Sequence, residues 1–235
     1  MIKLEHVVLA SPDQMEFIIE GMRNPMNSWE KSDSWAGHEY MGAGNEYFKF
    51  GNNDHSLMQQ LSNAGTDHRK YMRMMPVYVR ITAPLYWWKE FDTYKVGTVS
   101  NSCSTMHKIA DKEFTFDDFS VEQLLGREDD PFTVPVRSDG TKLSPLGLML
   151  DIITMLNGCR AKYLETKNKK YWWQMIQLLP SSYNQTRNVM MNYEVLANIY
   201  KSRKNHKLDE WREFCKWITV DNSRGTGLWQ PGDEF

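Results

Sequence analysis

The clearest structural pattern in this chain lies in MPVYVRITAPLYWWKEFDTYKVGTVSNSC, residues 75–103. In residues 75–84, β-branched side chains alternate with polar and aromatic ones. This predicts a strand whose buried face carries Val77, Val79 and Ile81. An aromatic segment follows the strand, and the remaining residues are mostly small and polar. They form either an ordinary loop or a ligand site in which charged side chains have been exchanged for uncharged ones.

Around this strand, the periodicity of apolar residues predicts two further strands and several helices. We expect strands at residues 3–10 and 46–50, because both are rich in β-branched or aromatic residues. The predicted helices cover residues 13–22, 55–65, 101–110, 114–126, 145–167, 171–179, 186–203 and 208–220. No internal repeat or low-complexity linker interrupts the sequence. We therefore predict one α+β domain over residues 1–235, with a helical C-terminal half.

Composition argues against several classes of protein. The chain has 235 residues, of which 41% are hydrophobic and 25% charged, as in an ordinary globular protein. Its net charge of −2 gives no general reason to expect nucleic acid or membrane as a partner, although residues 167–170 and 201–207 are locally basic. No apolar run approaches the ~20 residues of a membrane helix. The N-terminus is too short and too charged for a signal peptide, so we expect a soluble, cytoplasmic protein.

The cysteines and histidines indicate neither a metal centre nor a disulfide framework. The three cysteines are far apart, and the six histidines form no HxH or HExxH pattern, so we expect no metal. A nucleophilic thiol at Cys103, with His107 shortly after it, is one hypothesis. A small cysteine beside an unrelated histidine is the commoner arrangement. The sequence therefore assigns no catalytic residue.

Two other features leave alternatives open. Asn192 and Arg203 flank Leu196 and Ile199 on one predicted helical face, where an amide and a guanidinium could hydrogen-bond a planar heterocycle. The alternative is a helix packed through its apolar residues, with the polar ones at its edges. The chain also holds nine tryptophans. The pair Trp87–Trp88 either stacks on a flat ligand or packs in a core or subunit interface.

The C-terminal run LLPSSYNQTRNVMMNYEVLANIYKSR, residues 178–203, resembles the flavin-dependent thymidylate synthase family. That family has Leu-Pro, then a Thr-containing segment, then a helix of pattern N-x5-N-x4-R. In this chain those positions are Leu179-Pro180, Asn192, Asn198 and Arg203. The segment EWREFCKWI that follows resembles the family's next helix.

The central segment resembles the same family. The family has a strand ending in Ala-Pro, a short aromatic segment, and then the signature R-H-R-x7-S. Ala83-Pro84 aligns without a gap, which places R-H-R on Thr93-Tyr94-Lys95. The signature's Ser falls on Cys103, or on Ser104 after a one-residue shift, and its Glu falls on Asn101. The signature is therefore not intact, because its arginines are replaced.

The resemblance, which covers residues 55–110 and 145–218, implies a fold and an activity. It implies an α+β fold with a small antiparallel sheet and long helices, a homotetramer, and a likeness to phage proteins. The family methylates dUMP to dTMP with FAD, methylenetetrahydrofolate and NADPH, and reduced flavin supplies the hydride. By position, the resemblance implies FAD contacts at Thr93, Tyr94, Lys95, Asn192 and Asn198, and nucleotide contacts at Asn101, Cys103, Ser104 and Arg203.

Because the arginines of the signature are replaced, three hypotheses about the function of this chain remain. An arginine grips phosphate bidentately, which Thr or Cys cannot do, and losing such a buried contact costs about 2–5 kcal/mol. In the first hypothesis the chain is an active synthase with substitutes drawn from Arg80, Lys89, Tyr94 and Lys95. In the second it keeps the fold but binds a different nucleotide or flavin, with altered or no catalysis. In the third it is a scaffold or interaction protein.

Overall fold

The computed structural model describes residues 1–39, 45–126, 134–135, 138, 140 and 142–219. The chain divides into two compact units. The first unit comprises Met1 and residues 82–91 and 102–187, and the second comprises residues 2–81, 92–101 and 188–235. The single domain over residues 1–235 stays a prediction.

Strands and helices are interspersed along the chain. The strands are β1 (Lys3–Leu9), β2 (Trp35–Glu39), β3 (Asn45–Lys49), β4 (Pro76–Pro84), β5 (Val99–Ser102), β6 (Val134–Pro135), β7 (Lys142–Leu143) and β8 (Asn184–Asn192). The helices are α1 (Pro12–Arg23), α2 (Asn52–Asn63), α3 (Lys70–Met74), α4 (Leu85–Phe91), α5 (Thr105–Lys108), α6 (Pro145–Thr166), α7 (Lys169–Leu178), α8 (Tyr193–Arg203) and α9 (Asp209–Thr219).

The main sheet has four strands in the order β1-β4-β8-β5. A separate antiparallel hairpin pairs β2 with β3, with Trp35 opposite Lys49. The predicted α+β class, with a small antiparallel sheet and long helices, is confirmed. Among the residues that the structure describes, no helix is long and apolar enough to cross a membrane.

The second unit is held together by the predicted apolar faces. Val77, Val79 and Ile81 of β4 are all buried, as their alternation predicts. Helix α1 starts at a capping box, in which the Ser11 hydroxyl accepts a hydrogen bond from the Gln14 backbone N–H and the Gln14 side chain bonds back to Ser11. It buries the face that carries Met15, Ile18, Ile19 and Met22. Burial of these side chains therefore fixes both elements against the core.

A buried ion pair also organises the second unit. Arg23 donates its Nε–H to Asp54 Oδ1 at 2.5 Å, and both side chains are almost fully buried. Asp54 Oδ2 accepts from the Ser32 hydroxyl and from the backbone N–H groups of Asp33 and Ser34, at 2.9–3.0 Å. Asp54 therefore ties α1 and α2 to the segment that precedes β2.

The first unit has its own core. Met149, Ile153 and Leu156 of α6 pack with Met175 of α7 and with neighbouring aromatic side chains. Ser144 caps α6 by accepting from the Gly147 backbone N–H, as its position before Pro145 predicts.

Trp87 and Trp88 also belong to the first unit. Both are at most 1% exposed, and their ring centres lie 4.9 Å apart. Trp88 Nε1–H donates to the Gln185 carbonyl at 2.9 Å. Within this unit the pair packs as core, which favours the packing alternative over ligand stacking.

Three helix predictions are corrected by the structure. Residues 186–203 are not one helix, because β8 runs to Asn192 before α8 begins. Residues 101–110 hold the end of β5 and only the short helix α5, and residues 114–126 hold only a 3-10 turn at Phe116–Asp118. The first error matters most, because pairing of β8 in the sheet overrides a helix-like spacing of Met and Asn residues.

Candidate functional site

The predicted site residues fall in both compact units. Cys103 and Ser104 lie in the first unit, whereas the others, Thr93, Tyr94, Lys95, Asn101, Asn192, Asn198 and Arg203, lie in the second. Their assigned ligand roles stay predictions, and we describe each group by the contacts within its own unit.

In the first unit, Cys103 and Ser104 are engaged through hydrogen bonds to local structure. Cys103 is exposed, its backbone N–H donates to the Thr186 carbonyl at 3.0 Å, and its own carbonyl accepts from Gln185 Nε2 at 3.1 Å. The Ser104 hydroxyl accepts from the His107 backbone N–H at 3.1 Å and so caps α5.

Arg187 lies on the same strand as Gln185 and was missed by sequence reasoning. Its guanidinium carbon is 4.1 Å from the centre of the Trp88 ring, and its Nε–H donates to Gln185 Oε1 at 2.9 Å. Stacking on an indole holds the planar cation in one orientation. The misassignment of residues 186–203 as a helix hid this placement.

In the second unit, Asn192 meets the loop at Gly97. Asn192 is 8% exposed, and its Oδ1 accepts from the Val195 backbone N–H at 3.0 Å as the N-cap of α8. Gly97 has φ of +76°, and a Cβ there would stand 2.7 Å from Asn192 Nδ2 and 3.2 Å from a Val195 methyl group. Only glycine combines this backbone conformation with this close approach.

Tyr94 and Arg203 are brought together. Arg203 donates its Nε–H to the Tyr94 hydroxyl at 2.9 Å, and its guanidinium carbon lies 4.8 Å from the centre of the Trp211 ring. The Tyr94 and Trp211 rings meet edge to face, 6.0 Å apart. Arg203 also lies near Cys215, where burial raises the pKa of the thiol to about 11 although the Arg203 charge lowers it. These contacts give Arg203 a structural role between the loop, α8 and α9.

The other predicted positions in this unit are on the surface. Thr93, Lys95 and Asn198 are exposed. Asn101, on β5, is also exposed and lines an open groove. Of the nine predicted site residues, Asn101 is the one that borders this groove.

The groove has a volume of about 510 Å³ and lies on one face of the main sheet, within the second unit. Each strand contributes side chains from alternate positions, which face the same way. They are His6 and Val8 of β1, Tyr78 and Arg80 of β4, Val99 and Asn101 of β5, and Asn188 and Met190 of β8, with Val79 and Val189 completing the lining. The opposite face of β4 is the buried one, so the groove occupies the exposed face.

Strand β1 reaches the groove through an irregularity at His6. His6 has φ of +50°, in the left-handed region that costs a side-chain-bearing residue free energy. The alternation of burial shifts there by one residue, because Glu5 and His6 are both exposed while Leu4 and Val7 are half-buried. Such a shift is typical of a β-bulge, a feature that re-aims side chains next to functional sites.

The chemistry of the groove is cationic, amide and apolar. Arg80 Nε–H donates to Asn188 Oδ1 at 3.3 Å, and the Asn101 amide lies in the same lining. Val8, Tyr78 and Val99 are large side chains left 46–64% exposed. No Asp or Glu lines this groove among the residues that the structure describes. The lining therefore suits an anionic ligand that has a flat, partly apolar ring.

Sequence reasoning missed most of this groove. The alternation in residues 75–84 did place Tyr78 and Arg80 on the exposed face of β4. It gave no sign that β1, β5 and β8 complete that face. Asn188 and Met190 were assigned to a helix, and the left-handed backbone at His6 has no signature in the sequence.

The positions that the resemblance gives to FAD lie outside the lining of the groove. Of the positions that the resemblance gives to FAD, Asn192 is buried as a helix cap and Tyr94 is bonded to Arg203. None of the five positions lines the groove. Among the described residues, no group of three or more His, Cys, Asp or Glu side chains could hold a metal ion.

Comparison with known proteins gives matches in structure but not in sequence. No protein-family model matches the chain, and no curated protein matches it. Among solved structures, thymidylate synthase X from Helicobacter pylori, with FAD and dUMP, matches with a TM-score of 0.56 at 16% identity, over 92% of this chain and 89% of that one.

A second solved protein matches equally well. The UMP/dUMP methylase PolB from Streptomyces cacaoi, bound with 5-Br UMP, has a TM-score of 0.57 at 12% identity, over 93% of this chain and 87% of that one. Its complex with 5-Br dUMP has a TM-score of 0.53 at 12% identity, over 85% and 76% of the two chains. These identities support a statement about fold alone: this chain has the α+β fold that is also found in thymidylate synthase X and in PolB.

Proposed function

We propose that this chain binds a uridine nucleotide, or a closely similar phosphorylated pyrimidine, in the groove on the exposed face of its main sheet. The observation that carries the proposal is the lining of the groove, where Arg80 and His6 stand beside the amides of Asn101 and Asn188 and where the described part of the chain places no carboxylate. The fold supports it, because each solved structure compared above holds a uridine nucleotide or a brominated analogue.

Each part of the groove has a role in this proposal. The Arg80 guanidinium offers a planar set of donors to phosphate oxygens. The amides of Asn101 and Asn188 each present a donor and an acceptor, which match the alternating groups on the edge of a uracil ring. Val99 and Tyr78 offer apolar surface to the face of the ring. This chain would thereby use a cation on β4 where the resemblance expects arginines in the following loop.

Methylation of the nucleotide with FAD is a second candidate, favoured by the thymidylate synthase X structure that contains FAD and dUMP. Two observations place it second. The positions of the R-H-R signature, which the resemblance gives to FAD, hold Thr93-Tyr94-Lys95 and so lack both arginines, and the position of the signature's Glu is Asn101. The loss of a charged contact to a buried phosphate costs about 2–5 kcal/mol, so FAD binding at the loop would be weak.

The test of the first proposal is calorimetric titration with dUMP, UMP and uridine. We expect the nucleotides to bind and uridine to bind at least about tenfold more weakly, because it lacks the phosphate that pairs with Arg80. Arg80→Gln should lose the preference for phosphate. Arg212→Gln is the matched control, since it removes the same charge from α9 outside the groove. Absence of nucleotide binding, or equal affinity in both variants, would refute the proposal.

Absorbance spectroscopy tests the second candidate in the same preparation. Protein that is mixed with FAD and desalted should keep the flavin bands near ~370 and ~450 nm if it holds the cofactor. If the retained flavin is first reduced anaerobically with NADPH and is then reoxidised only when dUMP and methylenetetrahydrofolate are both present, and if the chain rescues a thymidine-requiring host, the methylation is established. A colourless protein that still binds dUMP would leave nucleotide binding as the function. The expected homotetramer is tested on this sample by light scattering.

A further inference from the structure

The turn between α6 and α7 in the first unit brings lysines and aromatic rings together. We call this group the Lys–Trp patch. Its members are Lys167, Lys169, Lys170, Tyr171, Trp172 and Trp173. None of them lines the groove described above.

The patch is ordered by contacts among its own members. Lys169 Nζ lies 5.8 Å from the centre of the Trp172 ring and 5.6 Å from that of Trp173, as the i+3 and i+4 spacing on α7 allows. The two indole rings meet edge to face at 4.9 Å. Trp172 Nε1–H donates to the Met106 carbonyl at 3.1 Å, which fixes that ring, while Trp173 stays 43% exposed. The aromatic surface is therefore preformed.

The charge of the patch is locally unbalanced. Between residues 161 and 173 the one carboxylate is Glu165, and it is engaged by Lys162 at 2.9 Å. Lys167, Lys169 and Lys170 are all exposed, and no carboxylate of the described chain forms an ion pair with them. The net charge of −2 for the whole chain does not reflect this local excess of positive charge. A charged ligand at the patch interacts mainly with the charges within a Debye length.

We propose that the Lys–Trp patch binds single-stranded nucleic acid. Its ammonium groups would contact phosphates while an exposed indole stacks on a base, the combination found in sequence-tolerant single-strand binders. An anionic membrane is the competing partner for lysine and tryptophan together. It fits less well, because an interfacial helix needs a continuous apolar face, and exposed Gln174 and Gln177 interrupt that face of α7. This inference does not depend on the nucleotide groove.

Fluorescence anisotropy of a labelled single-stranded oligothymidylate of about 20 nucleotides tests the proposal with the full chain. We expect binding at low salt, weakening with a slope of about −2 in log K against log [salt], as three lysine–phosphate contacts predict. Lys169→Glu combined with Lys170→Glu should weaken binding at least about tenfold. Trp173→Ala should weaken it about fivefold or more if the indole stacks on a base.

The matched control is Lys201→Glu combined with Lys207→Glu, the same charge reversal on exposed lysines of the other basic segment. It should leave oligonucleotide binding within about twofold of the wild type if the contact is made by the Lys–Trp patch, because it changes the net charge by the same amount without altering a member of the patch. Equal losses in both double variants, or no binding at low salt, would overturn the proposal. Binding to phosphatidylserine vesicles without oligonucleotide binding would overturn it in favour of a membrane surface.

Discussion

Arg203 donates its Nε–H to the Tyr94 hydroxyl at 2.9 Å, and the same guanidinium lies 4.8 Å from the centre of the Trp211 ring. The two residues are far apart in sequence, and the contact fastens the loop after α4 to the end of α8 and the start of α9. A guanidinium held by a hydrogen bond and an aromatic face has little freedom left to follow a ligand. We therefore expect this pair to act on stability more than on binding.

Tyr94→Phe tests that expectation. The change removes the hydroxyl that accepts from a charged donor, so the free energy of unfolding should fall by about 1–2 kcal/mol. Urea denaturation at pH 7 measures it. Tyr78→Phe is the control, because that exposed tyrosine on β4 should cost less than about 0.5 kcal/mol. If Tyr94→Phe leaves stability unchanged but weakens the retention of FAD, then Tyr94 is a cofactor contact, as the resemblance implies.

The sequence predicts most strands and helices of the second unit, but not how these elements pack against one another. The faces of β4 and α1 could be read because burial of an apolar face imposes a period of two or of 3.6 on one continuous segment. The break at Asn192 was missed, although an Asn before a helical run is a common cap. The pairing of Tyr94 with Arg203 has no local signature, because it depends on where two distant segments pack.

The candidate groove could be predicted from the sequence even less than the contact between Tyr94 and Arg203. Its lining comes from four strands, and adjacent strands in the sheet are not adjacent in sequence. Asn101 could be named in advance because a resemblance supplied it. His6 could not, since its left-handed backbone follows from the irregularity in β1 and not from its residue type.

Gly97→Ala should loosen the loop that lies against α8. Alanine would need the left-handed conformation at φ of +76°, and its Cβ would stand 2.7 Å from Asn192 Nδ2. Strain and overpacking together should lower the free energy of unfolding by about 2–3 kcal/mol. Thermal and urea denaturation monitored by circular dichroism measure this loss.

Gly140→Ala is the matched control for this change. Gly140 has the same φ of +76°, but a Cβ there meets nothing within 4 Å, so it reports the backbone strain alone. The difference between the two variants isolates the contact with Asn192. Equal losses would show that Asn192 moves aside without cost, and the close packing inferred here would then be wrong.

His6→Gly should raise the stability of the protein while lowering its affinity for dUMP. Glycine adopts φ of +50° without steric cost, so the variant should be more stable than the wild type by about 0.5–1 kcal/mol. It also removes an imidazole from the groove, so the affinity for dUMP should fall. His6→Val should be less stable by about 1–2 kcal/mol, because a β-branched side chain tolerates this conformation poorly.

Lys3→Gly serves as the control on the same strand. Lys3 does not have a positive φ, so glycine should destabilise there, by about 0.5–1 kcal/mol. Opposite signs at His6 and Lys3 would establish that His6 holds strain. A loss of stability at both positions would show that the backbone at His6 is unstrained, and its left-handed conformation would then not indicate a functional site.

Asp54 should make the stability of the second unit depend on pH. Burial alone would raise the pKa of this carboxyl, but hydrogen bonds from Ser34, Arg23 and Ser32 lower it below its usual value. A carboxyl whose pKa is lower in the folded state contributes stability above its unfolded pKa of about 3.9. That contribution is lost as pH falls from there through the folded value. Asp54→Asn should therefore cost about 3–5 kcal/mol at pH 7, because it leaves Arg23 buried beside a neutral amide.

Urea denaturation at pH 7 and at pH 3.5 measures this effect as the difference between wild type and variant. The difference should shrink at the lower pH, because the unfolded carboxyl, with a pKa of about 3.9, binds a proton more readily at pH 3.5 than the folded one does. Asp67→Asn, at an exposed aspartate, should cost less than about 0.5 kcal/mol at both pH values. If the Asp54→Asn difference is the same at both, folding does not lower the pKa of this carboxyl, and its stabilisation comes from hydrogen-bond geometry that an amide cannot reproduce.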